Sequence, residues 1–195
     1  MLNVAEICPA TRALGPGVRA VVWVQGCPFR CRGCLAPNWI PDRPARQMTP
    51  DELAATLLGD PRVTGLTFSG GEPMAQAAGL AATVRAVRAV KDVTLICFTG
   101  FRLEELTGRP IAEELLAEVD VLIDGRYVAA RDNDRGMRGS DNQRVHHLTE
   151  RLRGHDFTGG PRRAEIHVKD RDVLLVGVPP SSLTAAWHTI GGGRT

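Results

Sequence analysis

A short apolar run, VRAVVWVQG (Val18 to Gly26), leads straight into CPFRCRGC, which sets three of the chain's five cysteines within eight positions. The run is β-branched and unbroken by charge after Arg19, as suits a strand buried on both faces and ended by glycine. A loop leaving such a strand with thiols at Cys27, Cys31 and Cys34 can fold around one centre, and the rest of the chain must accommodate it. Structural zinc usually takes four ligands, with its cysteines paired as C-x-x-C knuckles. Here the fourth would have to be Cys8 or a distant histidine, and neither sits in a second knuckle. A disulfide would leave one thiol over. A four-iron cluster held at three of its irons needs no fourth protein ligand. It also leaves one iron open, as catalytic metal sites keep an open position.

Beyond that loop, helical and strand-like segments alternate. QMTPDELAATLLGD carries a helix start, with Thr49 as cap, Pro50 at the first position and Glu52 three residues after the cap. RVTGLTFSGG reads as a strand ending in glycines, and AQAAGLAATVRAVRAVK puts Leu80, Val84 and Val87 on one helical face. DVTLICFTG is a third strand, two short helical stretches follow around 103–106 and 111–116, and VDVLIDG is a fourth strand. This order predicts βα units on a parallel sheet, with ligands at the carboxyl ends of the strands. The length leaves room for about four to six units, too few for a closed eight-fold barrel of about 250 residues, so an open, partial β/α barrel is expected.

Residues 126–163 are polar, Arg-rich and punctuated by glycine, and read as ordered loop plus linker. Residues 164–178 alternate around KDRD as a candidate β-hairpin, and the final GGGRT reads as a disordered tail. The expected organisation is therefore a core domain over 1–150 and a small extension over 151–195. The formal net charge of +2 and the scatter of arginines give no nucleic-acid footprint. No apolar run is long enough to span a bilayer, and the N-terminus lacks a signal-peptide pattern, so a reducing cytoplasm is expected. In that compartment clustered thiols are ligands or catalysts more often than disulfides.

The C-x-x-x-C-x-x-C motif resembles the signature of the radical S-adenosylmethionine (SAM) enzymes, with Cys27, Cys31 and Cys34 in the ligand positions. LGPGVR (Leu14 to Arg19) is similar to the entry of the glycyl-radical activating enzymes. FSGGEPM (Phe68 to Met74) is similar to the superfamily's SAM-binding turn, whose glycines let the backbone approach the methionyl amino group. VLIDGRYV…RGSDNQRVHHL resembles the end of the activating enzymes of anaerobic (class III) ribonucleotide reductases. These stretches run in order from residue 14 to about 148.

The resemblance implies a [4Fe-4S] cluster on the three cysteines, with SAM chelated to the open iron. It places Gly33, Leu35, Ser69, Gly70, Gly71, Glu72 and Asp124 about that cofactor; Asp124, before Gly125, is equally suited to forming a turn. It further implies that a reduced cluster cleaves SAM to methionine and a 5′-deoxyadenosyl radical, which takes a hydrogen atom from a glycine in a partner anaerobic ribonucleotide reductase. A flavodoxin- or ferredoxin-type protein would supply the electron. The alternatives are a radical SAM enzyme acting directly on a small molecule or peptide, and a non-catalytic cluster-binding module. Gly33 before Cys34 accords with the reductase activating enzymes. Leu35 stands where that group often has an aromatic, and Trp39 is a candidate replacement. By the same resemblance Arg138, Asn142 and Arg144 would face the partner. His146 and His147, being adjacent, point different ways and read as surface residues, while Cys97 reads as a buried core thiol.

Overall fold

The computed structural model describes residues 1–169 and 172–189. The four strands expected from the sequence form the centre of one sheet: β2 (Arg19–Val24), β4 (Gly65–Gly70), β5 (Thr94–Thr99) and β6 (Val121–Asp124). They are parallel, with Arg19 opposite Gly65 and Val24 opposite Gly70, so β2 and β4 end at one level. Three antiparallel strands flank them. β1 (Leu2–Thr11) pairs with β2, β3 (Arg46–Met48) with β1, and β7 (Arg144–His147) with β6. The resulting order is β3-β1-β2-β4-β5-β6-β7, an open mixed sheet with β3 and β7 as its edges.

The connections show why the sequence folds this way. α1 (Pro50–Leu57) begins with the capping box the sequence predicts: Thr49 accepts from the Glu52 amide at 3.2 Å, and Glu52 accepts from the Thr49 amide at 2.8 Å. α2 (Ala77–Arg88) buries Leu80, Val84 and Val87, the stripe read from its period. α3 (Leu103–Leu106) and α4 (Pro110–Leu116) complete the crossover from β5 to β6. Side chains of α1, α2 and α4 pack on one face of the sheet against Leu2, Val22, Phe68, Leu95 and Leu122. Cys97 lies in that core and is buried, as expected.

The other face is covered by later parts of the chain. Val21, Trp23 and Trp39 pack there with Leu174, Val176 and Val178 of the C-terminal segment, and Ile96, Val121 and Ile123 pack with Leu152 and Phe157. The expected hairpin is present as β8 (Ala164–Lys169) and β9 (Asp172–Gly177), which form their own two-stranded antiparallel sheet. The two central residues of its KDRD turn, 170 and 171, and the GGGRT tail lie outside the described residues.

Three departures from the sequence reading have physical causes. β1 and β3 owe their strand form to pairing with neighbours, and LNVAEICPAT mixes buried and part-buried positions without strict alternation. Residues 126–163, read as loop and linker, contain β7. Its sequence RVHH has little apolar signal, and β6 organises it by pairing Val121 with His147 and Asp124 with Arg144. A helix, α5 (Ser181–Thr189), follows β9 where the sequence suggested none.

Arg19 is fully buried at the start of β2. Among the described residues its guanidinium meets no carboxylate at bonding distance; Nε donates to Thr67 Oγ1 at 2.7 Å, and Nη1 donates to Thr94 Oγ1 at 3.0 Å and to the Pro16 carbonyl at 3.3 Å. Nη2 donates to the carbonyls of Leu66 and Thr94. All five N–H donors are thereby used, which is what makes a buried guanidinium tolerable. Burial pulls its pKa down to about 9. The side chain ties β2, β4 and β5 together at the end opposite the cysteines.

Replacing Thr49 by Ala removes the α1 cap and is expected to cost about 1 kcal/mol of stability, read as a shift in the denaturant midpoint with unchanged slope.

Candidate cofactor site at the strand ends

The carboxyl ends of β2, β4, β5 and β6 open into one cavity, lined by residues at or just after the end of each strand. Cys27, Cys31 and Cys34 all line it, together with Leu35, Trp39 and the turn Ser69–Glu72. Cys27, Cys31 and Cys34 are free thiols.

Backbone contacts position the two loops. Gly26 N donates to Trp39 O at 2.9 Å and Cys27 N to Ile40 O at 3.0 Å, closing the cysteine loop on itself. Gly71 N donates to Val24 O at 2.8 Å and Glu72 N to Gly26 O at 2.9 Å, which seats the glycine turn against the start of that loop. At Gly71 a Cβ would lie 2.9 Å from Trp39 O and closer still to Gly26 O, so only glycine fits there.

Glu72 is buried and holds the turn. Its carboxylate accepts from Thr99 Oγ1 at 2.7 Å, Gly100 N at 2.8 Å and Met74 N at 2.9 Å, joining the end of β4 to the end of β5. Burial raises its pKa to about 7 against the pull of these three donors. Burial likewise raises the Cys27 thiol to about 11 and moves Cys34 upward, where the Ala36 N–H pulls the other way. Among the described residues no three His, Cys, Asp or Glu side chains converge as one metal ion requires. A cubic cluster makes a different demand, because each thiolate meets a different iron. Three free, partly buried thiols on one cavity wall, on a loop pinned at both ends, fit that demand.

The remaining sequence candidates divide. Leu35 and Ser69–Glu72 border the cavity, whereas Gly33 is exposed at the back of the loop with φ +73°, beside Ala129 and Tyr127. Trp39 lines the cavity and packs against Trp23 with ring centroids 5.2 Å apart and the ring planes tilted by 39°. Asp124 is turned away. Its oxygens accept from Leu103 N at 2.6 Å and from Arg144 at 2.6 and 3.0 Å, and His146 Nε2 lies 3.0 Å away without hydrogen-bond alignment. Burial pushes the Asp124 carboxyl up, but Arg144, Leu103 and His146 together hold it below the ordinary carboxylate range. His147 points the other way and sits 5.6 Å from the Phe157 ring.

The arginines expected to face a partner are engaged within the chain. Arg138 donates to the carbonyls of Asp141 and Gln143, Asn142 Nδ2 to Arg126 O, and Arg144 to Glu104 as well as Asp124. The sequence reading missed several wall residues. Thr99 and Gly100 follow from the rule that strand ends hold ligands, which CFTG satisfies. Tyr127 and Gln143 carry no such signal; Gln143 bridges Gly139 N, at 2.8 Å, to Gly125 O, also at 2.8 Å.

These features define an α/β protein that sets a thiol-lined cofactor cavity at the carboxyl ends of a parallel sheet. Residues 13–146 match the model of the 4Fe-4S single cluster domain family. Three anaerobic ribonucleoside-triphosphate reductase-activating proteins are similar along most of the chain. That of Enterobacteria phage T4 is 32% identical over 162 residues, covering 80% of this chain and 100% of its own. Those of Vibrio cholerae and Escherichia coli K12 are 35% and 30% identical, each covering 99% of the relative and 76% and 75% of this chain. The chain belongs to the 4Fe-4S single cluster domain family and, within it, to the anaerobic ribonucleoside-triphosphate reductase-activating proteins.

Two outcomes test this geometry. Gly71→Ala should force the two loops apart, costing about 1–3 kcal/mol and lowering the iron retained after anaerobic reconstitution. Asp124→Asn should destabilise by about 2–3 kcal/mol at neutral pH. Because the folded carboxyl titrates below its unfolded value, its stabilisation is present above about pH 3.8 and lost as pH falls further. The difference between wild type and variant in chemical denaturation should shrink over that acid range.

Proposed function

We propose that this chain activates an anaerobic ribonucleotide reductase as a radical SAM enzyme, holding a [4Fe-4S] cluster on Cys27, Cys31 and Cys34 with SAM at the open iron. The single observation that carries the reading is the meeting of all three thiols and the Ser69–Glu72 turn in one cavity, within the region matched by a 4Fe-4S family. The relatives' shared name supports the partner, and the resemblance of the cysteine and glycine motifs supports SAM.

When bound, the cluster and SAM supply one-electron reduction of a sulfonium and the hydrogen-atom abstraction that follows. The chain's own residues provide position and shelter. The pinned loop fixes three thiolates. The Ser69–Glu72 backbone offers a close approach for the methionyl group, with Gly71 leaving room and Glu72 keeping the turn rigid. Gln143 and Tyr127 help to wall off water.

We read the open sheet as the partial β/α barrel that the resemblance implies, with residues 1–150 as the cluster-bearing unit and 151–195 as an extension. A flavodoxin- or ferredoxin-type protein in the cytoplasm supplies the electron. No helix among the described residues is long and apolar enough to cross a membrane.

Anaerobically reconstituted protein should bind about four irons per chain and, with dithionite and SAM, form 5′-deoxyadenosine. Replacing Cys27, Cys31 or Cys34 by Ala should reduce both to background. Adding the reductase should give a glycine-centred doublet in electron paramagnetic resonance. Zinc in place of iron, or a cluster surviving the triple replacement, would overturn the assignment.

A further inference from the structure

The cavity wall extends beyond the matched family region, which ends at residue 146. Leu175, Gly177, Val178 and Pro179 line the cavity with the three cysteines, although 80% of this chain suffices to cover the phage T4 relative from end to end. Leu174 and Val176 of β9 pack with Trp23 and Trp39, and Leu175 between them is among the residues that border the cavity. It is nonetheless only 3% exposed.

At Gly177, with φ +130°, a Cβ would sit 2.9 Å from Ala164 Cα and would overlap the Arg163 carbonyl oxygen, so glycine lets the strand turn Val178 and Pro179 onto the cavity. The segment is fixed in place. Glu165 accepts from Thr11 Oγ1 at 2.7 Å and Arg12 N at 2.8 Å. Buried Arg162 donates to Asp132 at 2.7 Å and to Gly139 O at 2.8 Å, joining the extension to the stretch that carries Tyr127.

The lining has two chemical halves. Thiols, the Ser69–Glu72 turn and Thr99 form a polar half, while Leu14, Trp23, Trp39, Phe98 and Val178 pack together as an apolar half to which Leu175 adds. Such a cavity suits a ligand with a charged head and a flat, weakly polar body. We propose that β9 is the nucleoside-side wall of the SAM site, with Leu175 and Val178 covering the adenosyl group. This rests on the function proposed above and assigns the extension a binding role.

The test uses the reconstituted full chain, without reductant, and equilibrium dialysis of three probes: SAM, methionine and 5′-deoxyadenosine. Leu175→Ala should weaken SAM and 5′-deoxyadenosine by about tenfold and leave methionine within about twofold, as expected for losing apolar contact with the nucleoside alone. Leu175→Met, which keeps the volume, should retain wild-type affinity for all three. Where alanine costs the cluster, Leu175→Val should show the same order with about a threefold loss. Unchanged SAM affinity, or an equal loss for methionine, overturns the proposal and leaves the function standing. Wild-type protein that holds its cluster but binds no SAM overturns both.

Discussion

Where β4 ends, the Gly71 backbone passes so near the Gly26 carbonyl that no side chain can be interposed, and the Glu72 amide donates to that same carbonyl. Two loops from different strands thereby become one body. The cysteine loop would otherwise be a 13-residue excursion between Gly26 and Ile40 with exposed Arg30 and Arg32. Its closure on Trp39 and Ile40, and its seat against the glycine turn, turn a flexible segment into a fixed arc. Thiols on such an arc would lose little further entropy on binding a cluster, the general advantage of preorganised ligands.

That junction relies on the parallel alignment behind it. β2 and β4 finish at the same level because Arg19 is opposite Gly65, and Arg19 itself is locked to Thr67, Thr94 and two β-strand carbonyls. One end of the sheet is thus held by a buried cation among neutral acceptors, and the other by backbone contact and the Glu72 carboxylate. α1, α2 and α4 cover one face; the chain returns after β7 to cover the second with Leu152, Phe157 and β9. This division leaves the strand ends free for chemistry while both faces stay dry.

Much of this was legible in the sequence wherever local chemistry decides the outcome. The unbroken VVWV run, the Thr49–Glu52 capping box, the Leu80–Val84–Val87 stripe and the glycine endings each specify a local state that the fold preserves. Cys27, Cys31, Cys34 and Ser69–Glu72 stand out in the chain because each group lies at or just past the end of a strand and resembles a family motif, and the fold brings both groups to one cavity. What escaped depends on distant partners. β7 is a strand because β6 offers it an edge, and Asp124 faces Arg144 and Leu103 through contacts no local pattern reveals. Tyr127, Gln143 and Leu175 reach the cavity from segments whose place in space is set by Arg162 and Glu165, residues that look like ordinary surface charges in the chain.

The separation along the chain between the thiol loop and β9 bears on biogenesis. Synthesis runs from the amino end, and elements made early can organise before later ones exist. The cysteines therefore emerge from the ribosome well before Leu175, and until β8 and β9 are made the cavity lacks the wall to which Leu175, Gly177, Val178 and Pro179 contribute.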